Sequence, residues 1–204
     1  MTSSGPPGAS DALVAALEES RDLGFLGPGP VQAHVRHAGG FLQAWAGRPP
    51  VSVVDLGSGG GVPALPLALA WPESHWLLVE ANGRRARFLA QTLHRLGLEA
   101  RVDVRAARAE VVGRDPAQRG RHDLVVARGF AAPAVTAECA APFLAVGGRL
   151  LTSEPPEMRA WPEAALQLLG LAREGRRGPV MALRQAAACP DRFPRRNPGK
   201  RPLF

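Results

Sequence analysis

The chain has 204 residues, of which 46% are hydrophobic and 21% charged, and its formal net charge is +7. This length and composition exclude wholesale disorder, collagen and coiled coil, and suit one domain, with or without a short appendage. No stretch approaches the roughly 18–20 consecutive apolar residues of a membrane span, so we expect no membrane association.

Targeting signals and redox chemistry point to the cytoplasm. Met1–Ser10 lacks the basic start and the apolar run of a signal peptide. Cys139 and Cys189 are too few for a disulfide framework, so a reducing compartment is expected. Lys200 is the only lysine, and because the arginine fork binds phosphate well, nucleic acid remains among the candidate partners.

Residues 10–48 predict two helices separated by a turn, after a Ser-, Gly- and Pro-rich segment at 1–9 that we expect to be mobile. Ser10 is a suitable N-cap for the first helix. Glycines and prolines in Gly24–Pro30 predict a turn, and the second helix is expected over Val31–Trp45.

Strands then alternate with helices over residues 49–191, and a basic tail follows at 192–204. Strands are expected over Val51–Asp55, His75–Glu80, Arg101–Ala106, Asp123–Ala127 and Gly148–Thr152, with a closing pair over Leu171–Arg177 and Val180–Ala187. Helices are expected over Val62–Ala70, Arg84–Leu96, Ala131–Leu144 and Glu157–Leu169. This alternation predicts an α/β, Rossmann-like fold with a seven-stranded, mostly parallel sheet and helices on both faces.

A glycine cluster follows the first strand directly. Its pattern is acid-x-G-x-G-x-G, beginning at Asp55 and including Gly57, Gly59 and Gly61. Glycines between a strand and a helix let a ligand approach the backbone closely. A dinucleotide loop needs glycine where Val62 stands, which disfavours a nicotinamide dehydrogenase. The pattern is typical of class I S-adenosylmethionine (SAM) methyltransferases, and a tight turn without a ligand is the alternative.

Two acids follow the next two strands. Glu80 ends the second strand, where a carboxylate can accept hydrogen bonds from both ribose hydroxyls of a ligand. Glu110 lies beyond the third strand, where this fold places the contact to an adenine edge. Taken alone, Glu80 would more commonly be a solvated acid at a strand end. Both acids follow the glycine loop in the expected order, however, and together they favour a SAM site.

Arg128 ends the fourth strand, a position that often decides which atom a methyltransferase modifies. No Asn/Asp-Pro-Pro-aromatic motif stands there, and neither cysteine is placed as a carbon-directed nucleophile. Arginine cannot deprotonate a substrate, which suits an acceptor that already presents a lone pair, such as guanine N7. A structural salt bridge is the alternative role for Arg128.

Several segments also share motifs with one family. They are Val53–Pro63, Leu78–Glu80, Gly83–Leu89, Arg108–Glu110, Val126–Phe130, Gly147–Arg149 and the ending Phe193–Leu203. These motifs resemble those of the RsmG/GidB family of bacterial 16S rRNA guanine-N7 methyltransferases. The resemblance implies SAM as cofactor, small-subunit ribosomal RNA as partner, and methyl transfer without a general base. It places Gly57 and Val62 at the SAM site, Ala109 and Glu110 at the adenine, and Arg128 near the methionyl end or the substrate.

The substrate side departs from the family pattern. Arg36-His37 matches an Arg-His-x-x-Asp-Ser motif, but Gly40 and Phe41 replace its Asp-Ser, and the N-terminal segment is short. Where the family has Leu-Lys-Gly after the fifth strand, this chain has Ser153–Pro155, so Glu154 predicts a charge reversal near the substrate mouth. Two alternatives stay open: a methyltransferase retargeted to a small molecule or protein, and a SAM-binding relative without activity.

Basic side chains are candidates for RNA contact. They are Arg84 and Arg87 on one helix and, in the tail, Arg195, Arg196, Lys200 and Arg201. A charge run is often only a solvated face, but a basic, proline-rich tail without acids is better explained by phosphate contact. Guanine N7 lies in the deep groove of A-form RNA, so the target should be an unpaired or flipped guanosine. The five histidines show no metal-ligand spacing, and we expect a monomer without a metal.

Overall fold

The computed structural model describes residues 10–204, so the expectation for residues 1–9 lies outside it. Its helices are α1 (Asp11–Asp22), α2 (Val31–Ala44), α3 (Ala64–Ala70), α4 (Gly83–Arg95), α5 (Ala109–Val112), α6 (Pro133–Ala140) and α7 (Glu163–Gln167), with 3₁₀ turns at Ala141–Phe143 and Pro198–Lys200. Its strands are β1 (Ser52–Leu56), β2 (His75–Val79), β3 (Val102–Arg105), β4 (His122–Ala127), β5 (Leu144–Ser153), β6 (Leu171–Arg177) and β7 (Val180–Gln185).

The seven strands form one sheet in the order β3-β2-β1-β4-β5-β7-β6. Strands β1 to β5 run parallel, and β7 lies antiparallel between β5 and β6. The predicted seven-stranded, mostly parallel α/β fold is confirmed. The strand order reverses between β1 and β4, and open α/β sheets bind ligands at the carboxyl ends of the strands at such a point.

Helices cover both faces of the sheet, and this explains why its central strands are apolar throughout. Residues 53 and 54 of β1 are fully buried but face opposite sides. Val53 belongs to a core cluster that includes Phe41 from α2 and Leu89 from α4. Val54 belongs to a second cluster that includes Phe143 and the tail residue Phe193. Parallel strands covered on both faces carry continuous apolar runs for this reason.

The two N-terminal helices are part of the first of these clusters. Leu17 of α1 and Val31 of α2 are fully buried, and α2 packs against α3. Ser10 caps α1 as predicted, because its hydroxyl accepts a hydrogen bond from the Leu13 amide at 3.3 Å. The Ser20 hydroxyl donates to the Gly60 carbonyl at 3.0 Å, which holds α1 against the glycine loop.

Helix α4 has well-defined ends. The Asn82 side chain accepts hydrogen bonds from the amides of Arg84 and Arg85, which satisfies two donors that the first turn leaves free. At the other end, Gly97 has φ +65°, and the Leu98 amide donates to the Leu93 carbonyl at 2.9 Å. This is the arrangement of a glycine C-cap.

Several predicted boundaries were wrong. The helix expected over Ala131–Leu144 spans Pro133–Ala140, and the short helix α5 was not predicted. The helix expected over Glu157–Leu169 forms only over Glu163–Gln167, because Pro162 disfavours helical backbone at the residue before it. The fifth strand begins at Leu144 rather than Gly148, since the chain enters it directly from the 3₁₀ turn after α6. A register shift between His122 and Leu124 accommodates the longer strand beside β4.

The C-terminal tail packs on the domain. The Arg119 guanidinium donates to the carbonyls of Cys189 at 2.8 Å and Phe193 at 2.7 Å. The Arg195 guanidinium makes a two-pronged ion pair with the fully buried Glu138, at 2.8 Å and 2.5 Å. These contacts fix the first half of the tail against the sheet face that carries α6.

Candidate functional site

The glycine loop bends sharply at the carboxyl end of β1. Gly57, Gly59 and Gly61 have φ values of +66°, +52° and +94°, which L-residues with side chains rarely adopt. The Gly57 amide donates to the Val79 carbonyl at 2.8 Å, which ties the loop to the end of β2. A Cβ atom at position 57 would lie 2.8 Å from the Phe130 ring. The glycine therefore keeps open the gap between the loop and Phe130.

Glu80 is held in place by backbone amides. Its two carboxylate oxygens accept from the Gly59 amide at 2.8 Å and the Asn82 amide at 2.7 Å, and the residue is 5% exposed. These bonds leave further lone pairs of the carboxylate available to a ligand. Glu80 lines a pocket of about 230 Å³ together with Gly57, Val79, Ala81, Arg85, Ala107, Ala109, Gly129 and Phe130.

This pocket brings together three residues predicted for the SAM site, namely Gly57, Glu80 and Ala109. Glu110 is not among its lining residues. The Glu110 carboxylate instead accepts from the Arg108 guanidinium at 2.5 Å and is 9% exposed, and this pairing raises the pKa of Arg108. The role predicted for Glu110 at the adenine stays a prediction.

Asp55 is a buried acid without a hydrogen-bond partner. It is 1% exposed, and within residues 10–204 neither carboxylate oxygen has a hydrogen-bonding neighbour. The Ser58 hydroxyl donates to the backbone carbonyl of Asp55 at 3.1 Å rather than to its carboxylate. Burial raises the pKa of Asp55 to about 7. Because buried polar groups in proteins are normally paired, this carboxylate fits a ligand that carries a cation or hydrogen-bond donors.

Arg128 directly follows β4, two residues beyond Val126, which pairs in register with Asp55 of β1. We call the region at the carboxyl ends of these two strands the crevice. Burial lowers the pKa of the Arg128 guanidinium, and the Asp55 carboxylate acts in the opposite direction. Among the described residues Arg128 makes no ion pair within 4.0 Å, so the salt bridge considered from the sequence is not its role there. Its Nη2 atom instead lies 2.6 Å from Nδ1 of His34.

Sequence reasoning missed His34 and Arg85. His34 is 94 positions away from its partner Arg128, so no local pattern connects the two. The Arg85 guanidinium lies 5.8 Å from the centre of the Phe25 ring and lines the pocket beside Glu80. A cation-rich helix start following the second strand was visible in the sequence, but nothing indicated which of its arginines faces inward.

The expected charge reversal at Glu154 is wrong. The Glu154 side chain is fully buried and accepts from the Arg159 amide at 2.7 Å and from the indole Nε1 of Trp161 at 3.2 Å. The Arg159 guanidinium adds an ion pair at 3.2 Å and is 31% exposed. The carboxylate therefore points inward as the anchor of residues 155–161, and the charged group that reaches solvent there is a cation.

The predicted RNA-contacting residues fall into two groups. Arg84 and Arg87 on α4, and Arg196, Lys200 and Arg201 in the tail, are exposed. Arg195 is occupied by its ion pair with Glu138. In the part of the chain that the structure describes, no three His, Cys, Asp or Glu residues are grouped as metal ligands. No helix of that part combines the length and apolarity needed to cross a bilayer.

The sheet order, the glycine loop and the acid after β2 define a class I methyltransferase fold. The crystal structure of a methyltransferase from Geobacter sulfurreducens shares this fold, with a TM-score of 0.60 over 87% of this chain and 89% of its own, at 17% identity. Residues 36–155 match the GidB family model, described as rRNA small subunit methyltransferase G.

Two relatives extend this match over most of the chain, and each is named ribosomal RNA small subunit methyltransferase G. The protein from Rubrobacter xylanophilus is 37% identical over 94% of this chain and 80% of its own length. The protein from Deinococcus deserti is 38% identical over 74% of this chain and 68% of its own. The chain belongs to the rRNA small subunit methyltransferase G (GidB) family, which confirms the resemblance seen in its motifs.

Proposed function

We propose that this methyltransferase transfers the methyl group of SAM to N7 of a guanosine in small-subunit ribosomal RNA. One observation carries the proposal: the buried carboxylate of Asp55, which has no hydrogen-bond partner among the described residues, stands at the start of the glycine loop, and Arg128 follows the neighbouring strand β4. The names of the relatives supply the class of acceptor.

The residues around the crevice fit SAM. The Asp55 carboxylate would pair with the cationic methionyl end, and the backbone of Gly57–Gly61 would lie along it. Glu80, already oriented by two amides, would accept hydrogen bonds from the ribose hydroxyls, and Ala109 would lie against the adenine. Bound there, SAM supplies an electrophilic methyl group on a sulfonium.

The acceptor side needs orientation rather than proton transfer. The N7 lone pair of guanine forms the new bond to the methyl carbon while the carbon–sulfur bond breaks, so no proton has to leave N7. Arg128 cannot act as a base, but it can hold the acceptor base by donating hydrogen bonds. Rate enhancement would come mainly from holding the nitrogen and the methyl group in line.

RNA binding would use the exposed basic side chains. Arg84 and Arg87 extend from the helix that begins beside Glu80, and Arg196, Lys200 and Arg201 extend from the tail. Contacts of this kind with phosphates release counterions and make binding steeply salt-dependent. Of the two reasons for considering another acceptor, the one based on Glu154 is removed, because its carboxylate is buried and paired with Arg159. The other, Gly40 and Phe41 in place of Asp-Ser, remains.

The test is to incubate the protein and labelled SAM with small ribosomal subunits, intact and deproteinised, from a strain that lacks the enzyme. The RNA is then digested, and its nucleosides are identified by mass. We expect labelled 7-methylguanosine with the native protein and, at a limiting SAM concentration, far less with Asp55→Asn as the matched control. Binding of SAM without transfer of label to RNA would contradict the proposal and favour the retargeted or inactive alternative.

A further inference from the structure

The N-terminal helices reach the candidate site through one side chain, His34. On one side its Nε2 atom lies 3.1 Å from the Gly27 carbonyl, in the turn between α1 and α2. On the other side its Nδ1 atom lies 2.6 Å from Nη2 of Arg128. The imidazole, which is 6% exposed, thus bridges the turn that packs beside the glycine loop and the arginine at the end of β4.

The chemistry of these two partners fixes the state of the imidazole. A guanidinium only donates hydrogen bonds, so Nδ1 must be the acceptor, and a backbone carbonyl only accepts, so Nε2 must carry the proton. Both bonds therefore exist together only in neutral His34 with its proton on Nε2. A protonated imidazole has donors at both nitrogens and would place a second cation against Arg128.

We infer that His34 is a positioning residue for methyl transfer, which fixes the Arg128 guanidinium in the crevice by accepting its hydrogen bond. The inference rests on the proposed function in giving Arg128 a role at the acceptor base. Among the described contacts of Arg128, this bond is the one that restrains where its guanidinium points. A planar donor group orients a base only if its own rotation is restrained, and the Gly27 carbonyl in turn restrains the imidazole.

The surroundings of His34 keep it neutral near pH 7. Burial lowers its pKa below the ordinary value of 6.5, and Arg128 acts in the same direction. The other titratable neighbour is His37, one turn along α2, whose pKa is lowered by burial, by Arg128 and by His34 itself. The turn contributes the Gly27 carbonyl, whose hydrogen bond raises the pKa of His34 and is outweighed by burial and Arg128. As pH falls through the lowered pKa, Nδ1 gains a proton and the bond to Arg128 is lost.

Two substitutions separate positioning from simple packing. His34→Leu keeps bulk but removes the acceptor, whereas His34→Gln keeps an acceptor for Arg128 and a donor for Gly27. We expect His34→Leu to lower kcat on ribosomal RNA by about 10- to 100-fold with SAM affinity changed less than about twofold, since small misplacements have effects of that order. His34→Gln should restore most of the rate. In the native protein, protonation of His34 should lower kcat at acid pH, and this contribution should be absent in His34→Gln.

A double-substitution cycle tests whether the effect passes through Arg128. If it does, adding His34→Leu to Arg128→Ala lowers the rate no further than Arg128→Ala alone. Losses that multiply, or a glutamine variant no better than leucine, would overturn the inference. His75→Leu is the matched control, because His75 is exposed at the opposite end of the sheet and should leave the rate unchanged.

A measurement without turnover separates this inference from the proposed function. Nitrogen-15 NMR of histidine-labelled native protein reports which imidazole nitrogen of His34 carries the proton. We expect a protonated Nε2 and an unprotonated Nδ1 near pH 7, with the preference relaxed in Arg128→Ala. A proton on Nδ1 would overturn the inference whether or not RNA is methylated. The expected tautomer in a protein that yields no 7-methylguanosine would overturn the proposed function alone.

Discussion

The proposed cofactor side and the proposed acceptor side of the crevice are built differently. On the cofactor side, the parts are close in sequence and joined by backbone atoms, as where the Glu80 carboxylate accepts from the amides of Gly59 and Asn82. On the acceptor side, the parts are joined by side chains from distant segments, as in the pair of His34 and Arg128. The part joined by backbone atoms tolerates substitution at few positions. The part joined by side chains can change its geometry when one pair of side chains is exchanged.

The largest predicted effect is that of a substitution at Asp55, on the proposed cofactor side. Asp55→Asn keeps the shape but removes the charge that the methionyl cation would meet, so SAM should bind about 100-fold more weakly, in line with about 1.5–3 kcal/mol for a hydrogen bond to a charged group. The same substitution removes an unpaired buried carboxylate, so the free energy of unfolding without SAM should rise rather than fall. Calorimetric titration and thermal unfolding measure the two effects.

This prediction is specific because Asp55→Asn should weaken SAM binding while raising the free energy of unfolding. An ordinary core defect would lower both SAM affinity and stability. Unchanged SAM affinity in Asp55→Asn would remove the carboxylate from the site and leave its burial unexplained. Ser58→Ala is a useful control, because Ser58 donates to the Asp55 backbone carbonyl and not to the carboxylate.

Two neighbouring arginines sharpen the difference between structural and RNA-facing cations. Arg195→Ala removes the guanidinium that pairs with the buried Glu138 carboxylate, although the amide of residue 195 still donates to it at 2.7 Å. Breaking a buried ion pair costs several kcal/mol, and since Arg195 is 35% exposed and one hydrogen bond remains, we expect a loss of about 2 kcal/mol in the free energy of unfolding. Arg196→Ala removes an exposed cation and should leave stability unchanged within about 0.5 kcal/mol.

For RNA binding we expect the reverse order, with an effect of Arg196→Ala and none of Arg195→Ala. Arg196→Ala should reduce the slope of log affinity against log salt by about 1 if Arg196 meets a phosphate. Arg195→Ala should leave that slope unchanged under conditions where the variant is folded. Equal stability losses at the two positions, measured by urea unfolding, would show that the whole tail is structural.

The two sides also differ in how far the sequence predicted them. The strands, the glycine loop and Glu80 follow from local patterns, because a strand, a turn and a helix start need only neighbouring residues. The bond between His34 and Arg128 and the burial of Glu154 do not, because each depends on which segments the fold brings together. The sequence predicted that Glu154 would be a charge at the substrate mouth, whereas in the structure its carboxylate accepts hydrogen bonds from Arg159 and Trp161.

The same reasoning applies to Arg195 in the tail. A basic, proline-rich segment without acids indicated phosphate contact, and no local pattern indicated that Glu138 would be buried beneath one of its arginines. Charge runs report composition, whereas an ion pair depends on tertiary packing. Long-range side-chain pairs are therefore the part of this molecule that only the three-dimensional structure supplies.

The smallest effect concerns pH and separates the two sides by titration. The pKa of Asp55 is raised to about 7, above its ordinary value of 3.8, so the folded protein holds this proton more tightly than the unfolded chain. Stability from this group is therefore present at pH 4 and is lost as pH rises to 7, opposite to the usual carboxylate. The proposed pairing of SAM with Asp55 needs the ionised carboxylate, so SAM affinity should fall about tenfold per pH unit below 7. Titrations at pH 5.5–8 should show this slope in the native protein and in His34→Gln but not in Asp55→Asn; a slope that persists in Asp55→Asn would assign the titration to another group.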